Sequence, residues 1–256
     1  MRIGTLIIGD EILSGKRQDR HLARVIGALG ARELRLSWAR YEGDDRERLT
    51  AVLRESFAQG GIVFAFGGVG ATPDDHTRQA AAAALGLPLQ RHPDAVAAIE
   101  AQFGAAAYPH RVLMAEFPAG SSIIPNPVNR VASFSVRDHH FLPGFPEMAW
   151  PMLDWVLATH YAGLSARPEA ERAIVVHGAG ESQLLPLMEE NVARFPELRL
   201  FCLPTFLTDG GRRLELGVRG DPATVDAALA HLVAGVEGAG FRWEPWRLPG
   251  KDEAPR

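Results

Sequence analysis

Cysteine is nearly absent from these 256 residues: a lone Cys202 excludes an intrachain disulfide framework. Its neighbours Leu200, Phe201 and Leu203 mark it as a buried strand thiol rather than a nucleophile. Long apolar runs are missing as well. No segment reaches the roughly 20 apolar residues that span a bilayer. The opening stretch, broken by Asp10 and Glu11, lacks a signal-peptide core, so the expected setting is cytoplasmic. There is no excess of positive charge: 27 Lys and Arg stand against 31 Asp and Glu, a net charge of −4. That balance offers no field to hold a nucleic-acid backbone and argues against such a partner. Apolar residues, by contrast, make up 46% of the chain, enough for one large or two modest cores, which excludes intrinsic disorder.

The pattern along the chain alternates strand and helix. Residues 3–8 are almost all apolar, as in a strand buried on both faces of a parallel sheet, and lead into a loop over 9–17. Leu22, Val25, Ile26 and Leu29 follow the helical spacing within 19–29, with Gly30 placed to end the helix. A second strand is expected over 34–39, then a helix capped by Asp44 or Asp45 that buries Leu49, Val52, Leu53 and Phe57. A third strand over 62–66 runs into Gly67-Gly68-Val69-Gly70 and a helix through 80–85. This repetition predicts a mostly parallel sheet covered by helices on both faces, with ligands at the carboxyl ends of its strands.

Beyond that, 131–136 and 140–142 suggest a hairpin, followed by the rigid turn Pro143-Gly144-Phe145-Pro146 and a helix to about residue 161 that Pro151 kinks or divides. The stretch 163–168 reads as a linker. A β-α-β-β-α unit follows, with strands over 173–176, 198–203 and 214–218, helices over 181–194 and 223–236, and a last strand near 241–243. The expected organisation is a first domain over 1–165, a small second domain over 170–246 and a disordered charged tail over 247–256.

The densest chemical signal is the segment 67–77. Glycines after a strand let the backbone approach an anion, and the following helix turns unpaired N–H groups and a positive dipole end toward it. Asp74 and Asp75 lie where phosphate would sit, which makes sense with a divalent cation between them, or else one of them caps the helix. Asp10, Glu11 and Ser14 form a second acidic loop that either binds ligand hydroxyls or a metal, or is solvated surface. Glu42-Gly43-Asp44-Asp45 is sufficiently explained by an N-cap. His76 is read as solvent-facing, and the adjacent His139 and His140 fall on opposite strand faces and cannot chelate one metal. Arg78 and Arg130 are anion candidates, against the ordinary role of exposed arginines.

Taken in order, GDEILSG (9–15), Gly43-Asp44, GGVGATPDDHTRQA (67–80), Pro125-Asn126 and LPGFPEM (142–148) resemble the marks of the CinA N-terminal domain, together covering about 150 residues. Residues 170–245 are more faintly similar to the small KH-like domain of CinA proteins. The resemblance implies a three-layer α/β/α fold of the MoaB/Mog molybdopterin-binding type with a mostly parallel sheet, followed by a small α+β (KH-like) domain. It also implies a homo-oligomer, dimer or trimer. It places the critical acid on Asp75 and a second on Asp44, both also as ligands of Mg²⁺ or another divalent ion. Phosphate contacts fall on Gly67, Gly68, Gly70 and Thr77, with Thr72, Asp10, Glu11, Ser14, Gly15, Pro143 and Gly144 as further binding positions. The implied ligands are a nucleotide or pterin phosphate, molybdopterin among them. The implied reaction is metal-dependent hydrolysis of ADP-ribose, with a non-catalytic binding or protein-interaction module as the alternative. Full-length CinA proteins add a nicotinamide-nucleotide deamidase domain for which this chain is expected to have no room.

Departures from the pattern are specific. Gly70-Ala71-Thr72 stands for Gly-Pro-Thr, Phe145 enters a Pro-Gly-Pro-Pro turn, Pro127 to Arg130 replaces a glycine region, and Arg17-Gln18-Asp19-Arg20 replaces an Asn-rich stretch. RNA binding through the second domain is disfavoured, because Asp209-Gly210-Gly211-Arg212 reads as a hairpin turn rather than a helix-flanked GXXG clamp.

Overall fold

The computed structural model describes residues 2–164, 169–207 and 210–246. The chain divides into two compact units, Met1–Ser165 and Ala166–Arg256. The expected tail over 247–256, most of the expected linker (165–168) and Asp209 of the hairpin turn lie outside the described residues.

The first unit begins with β1 (Ile3–Ile8), buried along its whole length, then a single turn α1 (Asp10–Leu13) and helix α2 (His21–Gly30). The helix starts two residues later than the spacing predicts. Asp19 remains outside it and accepts the backbone N–H groups of His21 and Leu22, at 2.8 and 3.2 Å. Strand β2 (Trp38–Glu42) begins four residues after the expected start. Its parallel register against β1 runs from Gly4↔Trp38 to Ile8↔Glu42, so Leu34 to Leu36 are spent on bringing the chain back to the sheet. Helix α3 (Arg46–Gln59) is capped by Asp45, whose carboxylate accepts Arg48 N–H at 2.7 Å. Strand β3 (Ile62–Phe66) and helix α4 (Thr77–Leu85) complete the third strand-loop-helix step.

A small antiparallel pair, β4 (Leu89–Arg91) and β5 (Glu116–Pro118), brackets helix α5 (Pro93–Phe103). The unit closes with β6 (Ser122–Ile124), β7 (Ser133–Val136), β8 (His139–Leu142) and α6 (Pro146–His160), which runs unbroken through Pro151. The main sheet has the order β2-β1-β3-β8-β7-β6. Its first four strands are parallel, and the hairpin expected through residues 137–139 adds β7 antiparallel, with β8 starting one residue earlier than expected, at His139. Strand β7 starts at Ser133, two residues inside the expected stretch. Phe117, Phe134 and Phe141 stack through the core at 4.9 and 4.5 Å between ring centres. Small buried residues Ala80 and Ala81 of α4 belong to that core with Leu49, Leu53 and Phe57 of α3. The result is the mostly parallel α/β sheet that the apolar runs predict.

The second unit contains β9 (Ala170–His177), α7 (Glu181–Arg194), β10 (Arg199–Phe206), β11 (Arg212–Gly220), α8 (Pro222–Gly238) and β12 (Arg242–Pro245). Its sheet, ordered β10-β11-β9-β12, is antiparallel throughout and packs Ile174, Val176, Leu214, Leu216 and Val218 against Leu184, Val225, Ala228 and Leu232. Cys202 is a half-buried strand residue at its edge, and burial raises its thiol pKa, as suits an inert thiol. No described helix is long and apolar enough to cross a membrane.

Candidate functional site

The carboxyl ends of β1, β2, β3 and β8 feed the loops that enclose a cavity of about 500 Å³. Among its lining residues are Gly9 and Glu11 after β1, Asp44 after β2, the run Gly67 to Thr72 with Asp74 and Asp75 after β3, and Pro143, Gly144 and Phe145 after β8. Its lining also includes the apolar Phe103, Met114, Val131, Ala132 and Met148, together with Asn126 and Asn129. Such a cavity, lined by glycines, carboxylates and apolar side chains, has the size and character of a small-molecule site.

The glycine loop owes its shape to backbone that a side chain would not permit. Gly67 and Gly68 have φ of 104° and 66°. A Cβ on Gly67 would collide with the Ile8 carbonyl oxygen, and one on Gly68 with the Thr77 hydroxyl. The loop is held from behind. Thr77 is fully buried, its hydroxyl donates to Gly67 O at 2.9 Å, and its N–H donates to Gly68 O at 2.9 Å. Thr77 therefore buttresses the cradle and is not on the cavity wall, where the resemblance placed it.

Arg78 has the same kind of role. It is 3% exposed, and its guanidinium donates to the carbonyl oxygens of Val69, Gly70, Leu113 and Glu116 at 2.7 to 3.2 Å. Burial pulls its pKa down, opposed by Glu116 and Asp75. As an anion candidate Arg78 is corrected: its donors serve loop carbonyls. Arg130, the other candidate, takes a left-handed backbone with φ of 59° and does not line the cavity.

The acids come together at the mouth. Asp10 N–H donates to Asp44 Oδ2 at 2.8 Å, and Asp44 N–H to Asp10 Oδ1 at 3.3 Å. Burial, then the charges of Asp10, Glu11 and Asp74, raise the Asp44 carboxyl above its ordinary value, against the hydrogen bond from Asp10. Asp75 Oδ2 accepts both the N–H and the hydroxyl of Thr72, which folds the loop back on itself. Asp10, Ser14 and Lys16 line an adjoining open depression that shares Glu11, Asp44 and Asp74 with the main cavity, while Gly15 lines neither. Among the described residues no three His, Cys, Asp or Glu side chains are grouped to hold a metal ion. The carboxylates thus do not build a cation cage by themselves. Their chemistry still suits Mg²⁺, which takes one or two carboxylates and completes its shell with water and ligand phosphates.

Two residues that the sequence did not assign to the site matter here. His21, buried and stacked on Phe66 at 4.4 Å, makes a 3.1 Å hydrogen bond between Nε2 and Gly144 O, which pins the turn after β8. Burial lowers its pKa, and because a carbonyl oxygen only accepts, Nε2 carries the proton of this bond. Arg17 lines the cavity with its guanidinium over the Phe145 ring, 5.7 Å from the centroid.

The chain is similar to several known proteins. The sequence profile of the family described as "Probable molybdopterin binding domain" matches residues 4–162. A CinA-like protein of Anaeromyxobacter sp. is 31% identical over 202 residues, covering 74% of this chain and 49% of that protein. The crystal structure of the protein CinA from Thermoplasma acidophilum, titled as of unknown function, superposes with a TM-score of 0.57 at 25% identity, covering 62% of this chain and 98% of that one. A MoaB molybdopterin biosynthesis enzyme from Thermus thermophilus aligns over 64% of this chain and 93% of its own at 21% identity, with a TM-score of 0.42. The chain spans about half the length of the curated relatives it matches. With its sheet, its glycine loop and its cavity all inside the matched segment, the chain belongs to the family of molybdopterin-binding domains, with CinA-like proteins among its relatives.

Proposed function

We propose that the cavity binds a phosphate-bearing nucleotide or pterin and that, with a divalent cation, it cleaves a pyrophosphate bond of the kind found in ADP-ribose. The observation that carries this reading is the cradle: a glycine loop that tolerates no Cβ at Gly67 or Gly68, facing the same cavity as Asp44 and Asp75. The loop would take one phosphate on its backbone N–H groups, and the apolar side chains of Phe103, Met114 and Met148 would take the flat ring. Asp44 and Asp75 would hold the cation, whose charge would stabilise the phosphoryl oxygens during displacement.

A second reading, a binding module without turnover, is favoured by one specific contact: the Asp75 oxygen that takes two hydrogen bonds from Thr72 is already engaged in shaping the loop. The two readings separate in one experiment. Purified protein is incubated with ADP-ribose, related dinucleotides, or Mg-ATP plus molybdopterin, across Mg²⁺, Mn²⁺ and Co²⁺, and products are resolved by chromatography. Metal-dependent release of AMP from ADP-ribose that disappears in Asp75→Asn supports hydrolysis. Unchanged turnover in that variant removes Asp75 from the chemistry, and ligand-induced stabilisation with no product leaves the binding module.

A further inference from the structure

The cavity wall carries four carboxylates, Glu11, Asp44, Asp74 and Asp75, and a single cation, Arg17. An anionic ligand entering such a wall meets repulsion that a side-chain cation must offset, and Arg17 is the one the wall offers. Other arginines of this unit are committed elsewhere. Arg24 is paired with Asp154, Arg40 and Arg48 with Glu42, and Arg78 with loop carbonyls. Among the described residues the Arg17 side chain makes no ion pair or hydrogen bond: its backbone N–H donates to Glu11 O at 2.9 Å, and its guanidinium lies over the face of Phe145.

The shelf under it is unusual for an apolar ring. Phe145 is 52% exposed at the cavity rim and lies between Gly144 and Pro146. A residue before proline is held to extended backbone, and Phe145 has φ −95° and ψ 115°. Stacking occupies the flat face of the guanidinium and leaves its edge, with paired N–H donors, free for a phosphate. A guanidinium already resting on a ring also loses less side-chain freedom when the ligand arrives.

We propose that Arg17, seated on Phe145, is a specificity-determining residue of the cavity that selects ligands carrying a second negative charge, a diphosphate over a monophosphate. This rests on the reading that the glycine loop holds the first phosphate.

The test is calorimetric binding of AMP and ADP to the full chain and to Arg17→Gln, Arg17→Lys, Phe145→Ala and Gly68→Ala. The unaltered chain is expected to prefer ADP. Arg17→Gln should weaken ADP by about tenfold or more, the worth of a charge-assisted hydrogen bond, while AMP changes by less than about threefold. Arg17→Lys should restore part of the preference and Phe145→Ala should lose part of it. Gly68→Ala should weaken both nucleotides alike. An ADP-to-AMP ratio unchanged in Arg17→Gln, with both ligands lost in Gly68→Ala, overturns the role of Arg17 and leaves the loop reading standing. Affinities unaffected by Gly68→Ala overturn the loop reading, and no binding of either nucleotide to the unaltered chain overturns both.

Discussion

Asp10 and Asp44 clasp each other across two loops, each giving its backbone N–H to the other's carboxylate, at 2.8 and 3.3 Å. The clasp fixes the mouth of the cavity at an electrostatic cost, because it brings two like charges together. Burial and these neighbours raise the Asp44 pKa above its ordinary value. A folded-state pKa above the unfolded one means that ionised Asp44 weakens the fold as pH rises through that pKa, and that protonated Asp44 does not. Asp44→Asn keeps the acceptor and removes the charge. It should raise the urea midpoint at pH 7, lose that advantage near pH 4, and abolish turnover. A lower midpoint than the parent at pH 7 would count against the charge argument.

The glycine loop permits a paired comparison. Gly67→Ala forces a Cβ into the Ile8 carbonyl oxygen at a φ of 104°, which should cost about 2–4 kcal/mol of stability and eliminate ligand binding. Gly144→Ala, whose Cβ would meet Gly67 Cα at an ordinary 3.5 Å, should change stability by less than about 0.5 kcal/mol. Equal losses in chemical denaturation of the two variants would show that loop strain is not what sets the cradle.

Much of this was legible in the sequence, and the reason is local. Apolar runs such as Ile62 to Phe66 and glycines directly after them declare a parallel strand and its phosphate-type loop without reference to anything distant. What sequence did not disclose depends on partners far along the chain. His21 is bound to Gly144 across 123 residues and Arg78 to Glu116 O across 38, and no periodicity encodes either. The resemblance placed Thr77 among the phosphate contacts, but its side chain is buried and its hydroxyl turns inward to Gly67 O. The late start of β2 has a similar cause: register against β1, rather than local hydrophobicity, fixes Trp38 opposite Gly4.

Arg78 should behave as part of the loop's frame. Replacing it by Lys removes the planar fork that serves four carbonyls at once, and the exchange should cost about 3 kcal/mol with faster hydrogen exchange at residues 69–72. Ligand affinity should fall together with stability. Weaker binding in Arg78→Lys with an unchanged melting temperature would mean that the guanidinium reaches the ligand and that its structural role is wrong.

Acid should unfold the first unit through two adjacent histidines on opposite faces of β8. His139 Nε2 pairs with Ser56 Oγ at 2.8 Å, and its Nδ1 is buried without a partner among the described residues. His140 Nδ1 pairs with Ser135 Oγ at 2.8 Å and its Nε2 with Tyr161 OH at 2.7 Å. Burial pushes His139 down to about 4 and His140 down to about 3, so both are neutral in the fold and take up a proton on unfolding. Their contribution is intact above pH 6.5 and is lost as pH falls from 6.5 toward about 4 for His139 and about 3 for His140. By pH 5 each should have removed on the order of 2 kcal/mol, before ordinary carboxylates begin to titrate. Urea denaturation at half-unit steps between pH 7.5 and 5 reads this directly. His140→Gln should reduce the slope, by less than about half because buried His21 adds to it with the same sign, and a flat profile between pH 6.5 and 5 would show that these rings are not the acid-sensitive groups.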